Sequence, residues 1–202
     1  MSGKIILLDP GHGGLINGQY VTAPKKMYKH PNGFTVYEGV YNRQVVEEIK
    51  EALKSAGVNF VDVVDTQADK PLRERVKEAN KYAVQYGPQN ALYVSVHANA
   101  GGGHGYEVYT SPGETASDKI ASDFMAFMAE AFPTHRGRKD TSDGDSDKEA
   151  NFYVLKNTMG PAILTESFFM DNLEEAAEML TEEAIKKVVQ AHLRTIYAFL
   201  ND

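Results

Sequence analysis

Apolar residues in this chain alternate between short continuous runs and helical stripes. The run KIILLD (4–9) is unbroken, the pattern of a strand buried on both faces. Over 40–57 the stripe Val45, Val46, Ile49, Ala52 and Leu53 predicts a helix, with Glu47, Glu48, Lys50 and Glu51 off it and Gly57 as its stop. NFVDVVD (59–65) predicts a strand, and 71–87 a helix with Pro71 near its start and Gly87 at its end. ALYVSVHA (91–98) predicts a strand, and GYEVYT (105–110) an alternating strand of edge type. The helix predicted over 114–132 carries Met and Phe at core spacing, and FYVLKN (152–157) and AILTESFF (162–169) read as strands. Asn172 caps a helix with Glu175 in capping-box register, and Thr181 caps the last helix, whose buried face is Ile185, Val188, Val189, Leu193, Ile196 and Leu200. Two stretches, 11–39 and 133–151, are glycine-containing and polar and predict long loops, and long loops in compact domains are commonly functional. Strands alternating with helices predict a single α/β domain: a mostly parallel twisted sheet with helices on both faces.

The 202 residues suit one domain with a substantial core. The net charge of −7 argues against a non-specific grip on nucleic acid or an anionic membrane. There is no cysteine, which removes disulfides, thiolate metal sites and cysteine nucleophiles. No apolar run approaches the roughly 20 residues of a membrane span. The opening MSGKIILLDP has too short an apolar run for a signal peptide, so the expectation is a protein made in the cytoplasm as it stands, or one whose leader has been removed.

In open α/β sheets, ligands bind beyond the carboxyl ends of the strands. His12 follows the first strand, His97 ends 91–98, Glu166 lies near the end of 162–169, and Glu38 closes the 11–39 loop just before the first helix. Two imidazoles and a carboxylate are a common zinc set that leaves a fourth position open. Gly11, Gly13 and Gly14 around His12 allow close approach and the dihedrals of a tight turn. Taken singly, a histidine after a strand is commonly a surface group, and Glu38 could simply favour a helix N-terminus. Glu166, among Leu164, Thr165, Phe168 and Phe169, is costly unless paired, hydrogen-bonded or used. Of the other histidines, His192 lies on a core stripe, His30 and His135 read as solvated loop residues, and His104 is near enough to His97 to line the same site. The acidic run 140–149 lacks the spacing of a helix–loop–helix calcium loop and reads as a solvated loop. There is no Gly-x-Ser-x-Gly, no phosphate-binding loop and no His-Glu-x-x-His.

Five segments taken in order, LLDPGHGG, EGVYNRQVVEEIKEAL, LRERVKEAN, YVSVHANA and FYVLKNTMGPAILTESFFMDN, resemble the zinc-dependent N-acetylmuramoyl-L-alanine amidases of the amidase 3 type, which cut bacterial peptidoglycan. The resemblance implies one Zn2+ held by His12, Glu38 and His97, with Glu166 moving a proton from the attacking water to the leaving alanine nitrogen. Asn80 and Asn99 would then be structural or supporting groups. It also implies that 1–202 is all catalytic domain, with no separate wall-binding domain. Lacking a leader, the chain looks like a phage or prophage endolysin that reaches the wall through a holin-type membrane lesion. Segment 133–151 has neither the length nor the periodicity of an inhibitory helix, so no activator is expected. Two features depart from the family: VVDTQAD lacks an arginine often found there, and the 15–37 loop matches no family feature and is expected to touch substrate. The alternatives are another zinc amide hydrolase, either a deacetylase or a carboxypeptidase using Arg136 or Arg138 for the substrate carboxylate, and a non-catalytic wall-binding protein.

Overall fold

The first apolar run forms β1 (Ile5–Pro10), buried along its whole length, in a computed structural model that describes residues 3–142 and 144–202. The segment expected to be loop holds two small hairpins, β2 (Leu15–Ile16) with β3 (Gln19–Tyr20), and β4 (Met27–Lys29) with β5 (Thr35–Tyr37). Then come α1 (Glu38–Ser55), β6 (Phe60–Asp62), α2 (Leu72–Tyr86), β7 (Ala91–Asn99), β8 (Tyr106–Thr110) and α3 (Ala116–Ala131). The chain closes with β9 (Lys148–Glu149), α4 (Tyr153–Asn157), β10 (Ala162–Phe169), α5 (Leu173–Met179) and α6 (Glu182–Asn201). The central sheet has the order β6-β1-β7-β10-β8-β9. It is parallel from β6 to β10, with β8 antiparallel to β10 and β9 parallel to β8. Among the described residues, no helix is long and apolar enough to cross a membrane.

Strand alternation sorts the side chains between two unequal layers. Ile6 and Leu8 of β1 and Leu92, Val94 and Val96 of β7 pack with α1, α3 and α6 in the larger cluster. Ile5, Leu7, Ala91 and Tyr93 point the other way, against Val76, Ala79 and Ala83 of α2 and Val154 and Leu155 of α4. These two helices cover only the early part of that face. Continuing the same alternation, Asp9, Ser95, His97 and Glu166 line a cleft instead of a core.

Several expectations change. FYVLKN forms a short helix, not a strand, because its buried residues Val154 and Leu155 are adjacent in sequence, which strand alternation cannot bury on one face. Bonds from Asn157 Nδ2 to the Tyr153 carbonyl (2.8 Å) and from Thr158 Oγ1 to the Val154 carbonyl (2.6 Å) close its turn. β8 is not an edge, since the two-residue β9 pairs along it. Asn172 caps α5, but Glu175 does not complete a capping box; its carboxylate accepts from the Phe169 and Gly105 backbone N–H groups and ties β10 to the β7–β8 connection. His30 is buried, stacked on Phe34 at 4.3 Å between ring centroids, with Nε2 2.9 Å from the Met170 carbonyl. His135 is half-buried, 3.1 Å from Glu178 Oε2. Asp147, in the acidic run, is only 2% exposed.

His192 is in the core as its stripe predicts. Its Nδ1 donates to the Val188 carbonyl (2.8 Å), which leaves Nε2 to accept from Thr165 Oγ1 (2.9 Å). Burial lowers its pKa to about 4, so it stays neutral in the fold. The unfolded chain takes up this proton below about pH 6.5 and the folded one does not, so stability falls as pH drops towards 4 and this loss then levels off. At about 1.4 kcal/mol per pH step the loss reaches about 3 kcal/mol by pH 4. Urea midpoints measured between pH 6.5 and 4.5 should fall less steeply in His192→Gln than in the parent; equal slopes would contradict the burial of a neutral imidazole.

Candidate metal centre

His12 stands on the turn after β1, Glu38 is the first residue of α1, and His97 lies two residues before the end of β7. The helix thus starts two residues earlier than its stripe predicts, and Glu38 belongs to its first turn, not to the loop. His12 Nε2 lies 3.2 Å and His97 Nδ1 3.0 Å from the same atom, Glu38 Oε1. The two imidazoles meet nearly edge to face, at 83° and 5.0 Å between centroids.

The glycines act differently from the expectation. The left-handed dihedral falls on His12 itself (φ 64°), not on its glycine neighbours. Such a conformation costs a non-glycine residue about 1–3 kcal/mol. The His12 carbonyl accepts from Arg43 Nη1 (2.7 Å) and Arg75 Nη2 (3.3 Å), which hold the turn in place. Gly11 is required for close approach, since a Cβ there would lie 2.2 Å from His97 Cε1.

A buried relay behind His97 was not anticipated. Asp9 accepts from Arg75 Nη1, from the Tyr93 hydroxyl (2.5 Å) and from Ser95 Oγ (2.9 Å). Having donated its only proton to Asp9, Ser95 Oγ accepts from His97 Nε2 at 3.1 Å. The proton of a neutral His97 therefore sits on Nε2, and its bare Nδ1 faces a carboxylate oxygen. Two lone-pair atoms held 3.0 Å apart call for a positive species between them. His12 Nε2 aims at the same point and is buried with no hydrogen-bond partner. The donor set of two imidazoles and one carboxylate fits Zn2+. The relay had a faint signal in the sequence: Asp9 and Ser95 interrupt apolar strands at the positions that share a face with His97.

The electrostatics agree. Burial alone would raise the Glu38 carboxyl, but the two imidazoles beside it, His12 and His97, outweigh burial and hold the group well below the usual carboxylate range. Burial lowers His12. For His97 burial also acts downward, but the adjoining Glu38 carboxylate and the charges of Glu166 and Asp9 raise it. Glu166 pairs across the sheet with His97, and burial pushes its carboxyl up to about 7. Its Oε2 is buried and unpartnered.

His12, His97 and Glu166 line a cleft of about 280 Å³ with Asp9, Lys26, Asp69 and an apolar rim of Leu72, Phe152 and Tyr153. Lys26 comes from the 15–37 segment, with Nζ 3.7 Å from Glu38 Oε2; no periodicity in its loop marked it. His104 is exposed and does not line the cleft. Neither do Arg136 and Arg138, and Arg138 Nε is held by Glu107 Oε2 at 2.7 Å. Asn80 joins α2 to the end of α4, and Asn99 Nδ2 donates to Glu107 Oε1.

A family model described as N-acetylmuramoyl-L-alanine amidase matches residues 6–198. The N-acetylmuramoyl-L-alanine amidase CwlM of Bacillus licheniformis is 28% identical over 193 residues, 93% of this chain and 65% of that protein. The endolysin of Bacillus phage SPP1 is 28% identical over 206 residues, 98% of this chain and 66% of that protein. The chain therefore spans just under two thirds of the length of these relatives. In fold it matches the crystal structure of an N-acetylmuramoyl-L-alanine amidase from Clostridium difficile 630 with a TM-score of 0.78 at 21% identity, covering 100% of this chain and 99% of that one.

Proposed function

The chain belongs to the N-acetylmuramoyl-L-alanine amidase family, and from that membership we propose that it hydrolyses the amide between N-acetylmuramic acid and L-alanine in peptidoglycan, with one Zn2+ held by His12, Glu38 and His97. The observation that carries this reading is the meeting of two imidazole nitrogens on one carboxylate oxygen, in the cleft where Glu166 Oε2 has no partner. A Zn2+ bound there would supply Lewis acidity at the scissile carbonyl and at the attacking water. Glu166, with its carboxyl near 7, can hold or release a proton at neutral pH. It accepts the proton of the attacking water and returns it to the alanine nitrogen, which cannot leave as an anion. Glu38 stays ionised, and the Asp9–Ser95 relay keeps the His97 proton on Nε2 and its Nδ1 bare. Leu72, Phe152 and Tyr153 shed water from the mouth of the cleft. Similarity to the SPP1 endolysin supports a lysin that acts on the wall.

Digestion of purified muropeptides should release muramic acid with a free lactyl carboxylate and, in equal amount, peptides with a new N-terminal alanine. Release of a C-terminal amino acid would mark a carboxypeptidase, acetate a deacetylase, and binding without product a wall-binding protein. Metal analysis should find one zinc per chain, removed by chelator together with activity and restored with it. Since ligation needs neutral imidazoles, zinc affinity should fall as pH drops below about 6.5. Affinity that stays constant from about pH 5 to 8 would exclude histidine ligation.

A further inference from the structure

The acidic run between α3 and α4 forms a second cluster. Asp118, in the first turn of α3, and Asp145 and Asp147 bring one carboxylate oxygen each to within 4.8 Å of one another. Asp147 Oδ2 accepts from Thr110 Oγ1 at the end of β8. Its Oδ1 is buried with no hydrogen-bond partner, in a residue only 2% exposed. Among the described residues, no lysine or arginine pairs with any of the three. Lys119 is held by Asp123 and Asp202, and Lys148 by Glu107. An unpaired buried carboxylate beside two others is expensive unless a cation or a proton joins them.

We infer that Asp118, Asp145 and Asp147 form a calcium site that fastens the 133–151 segment to α3 and β8. The donors are all hard oxygens, the preference of Ca2+ and not of zinc. Asp145, Ser146 and Asp147 follow Gly144 on an open loop, and such a loop can adjust to the variable coordination that Ca2+ tolerates and Mg2+ does not. Asp118 is already fixed, since both its oxygens accept from Thr115 in the capping box of α3. Without a cation, burial and the neighbouring Asp145 push the Asp147 carboxyl up to about 7, so protons compete with the ion. The next residue, Lys148, holds Glu107, which pairs with Glu166 across β8 and β10. Occupancy would therefore steady the wall of the cleft from its outer side.

The test is calcium titration of the full zinc-loaded chain in chelator-treated buffer, by calorimetry and by thermal melting. One Ca2+ per chain should bind, and Tm should climb with calcium concentration by mass action. Asp147→Asn should abolish both responses while leaving zinc content and calcium-free hydrolysis unchanged. Should that variant fail to fold, Asp145→Asn, at a half-buried position, must weaken calcium binding, as expected when one charged ligand is lost. Absence of heat and of a Tm change up to about 10 mM calcium, beyond the weakest common protein sites, would overturn the site. So would an equal Tm rise in Asp147→Asn, or tighter binding of zinc than of calcium at these carboxylates. A cluster that is stabilised at neutral pH by Asp145→Asn and still ignores calcium is a proton-sharing pair, which also overturns it.

Discussion

Glu166→Ala is expected to keep its zinc and its fold and to lose hydrolysis by about 10²–10⁴-fold, the usual contribution of a general acid–base group. His12→Ala and Glu38→Ala should lose zinc and hydrolysis together. The difference follows from position. Glu38 Oε1 is the atom both imidazoles face, whereas Glu166 Oε2 stands in the cleft without a partner. Replacing Glu166 removes a buried carboxyl whose charged form burial already disfavours, so the fold loses little. Replacing Glu38 leaves two nitrogens facing an empty place. Zinc content and muropeptide turnover, measured side by side on the three variants, separate the roles. Equal zinc loss in Glu38→Ala and Glu166→Ala would make both carboxylates ligands and leave the proton shuttle unassigned. Full activity in Glu166→Ala would remove the mechanism.

Arg75→Met should cost about 3–5 kcal/mol of stability, the range for breaking one side of a buried ion pair. Arg75 and Asp9 are both 2% exposed or less, so the Asp9 carboxylate is left without its counter-charge, held only by the Tyr93 and Ser95 hydroxyls. The guanidinium also serves the Pro10 carbonyl (2.8 Å), the Lys70 carbonyl (2.7 Å) and the His12 carbonyl, so the turn bearing His12 loosens as well. Zinc affinity should therefore decline with stability. Adding Asp9→Asn to Arg75→Met should recover part of the folding loss, because the stranded charge is gone. Denaturation midpoints of the two single variants and the double one check this. A loss below about 1 kcal/mol for Arg75→Met would mean that water reaches Asp9 after all.

The long periodic elements were legible because one rule settles them. Val45, Val46, Ile49 and Leu53 can share a face only in a helix, and KIILLD can be buried throughout only as an inner strand. The short elements were not. In FYVLKN, the five helical residues carry too few turns for a stripe, and neighbours in α2 decide the outcome. His30 looked like a solvated loop residue because its partner, the Met170 carbonyl, lies 140 positions away. Proximity of His12, Glu38, His97 and Glu166 could be argued from strand ends alone. That Glu38 Oε1 faces both imidazoles depends on where α1 begins, and helix starts are set by local hydrogen bonds that composition does not reveal. Asp147 was missed for a related reason: an acidic run reads as solvated until Thr110 and α3 are seen to close over one of its members.

The alternation along β7 has a consequence for how such a protein can change. Leu92, Val94 and Val96 answer to the volume of the larger layer, while Ser95 and His97 answer to charge and proton position in the relay and the cleft, and Tyr93 joins the relay by its hydroxyl and the smaller layer by its ring. Packing and chemistry are written on even and odd letters of one strand, so either text can drift without rewriting the other, provided the number of letters does not change. Insertion or deletion of a single residue within the strand would exchange the two texts at a stroke, turning Val96 towards the cleft and His97 towards the core. Lineages descending from such a scaffold are therefore free in spelling and bound in spacing.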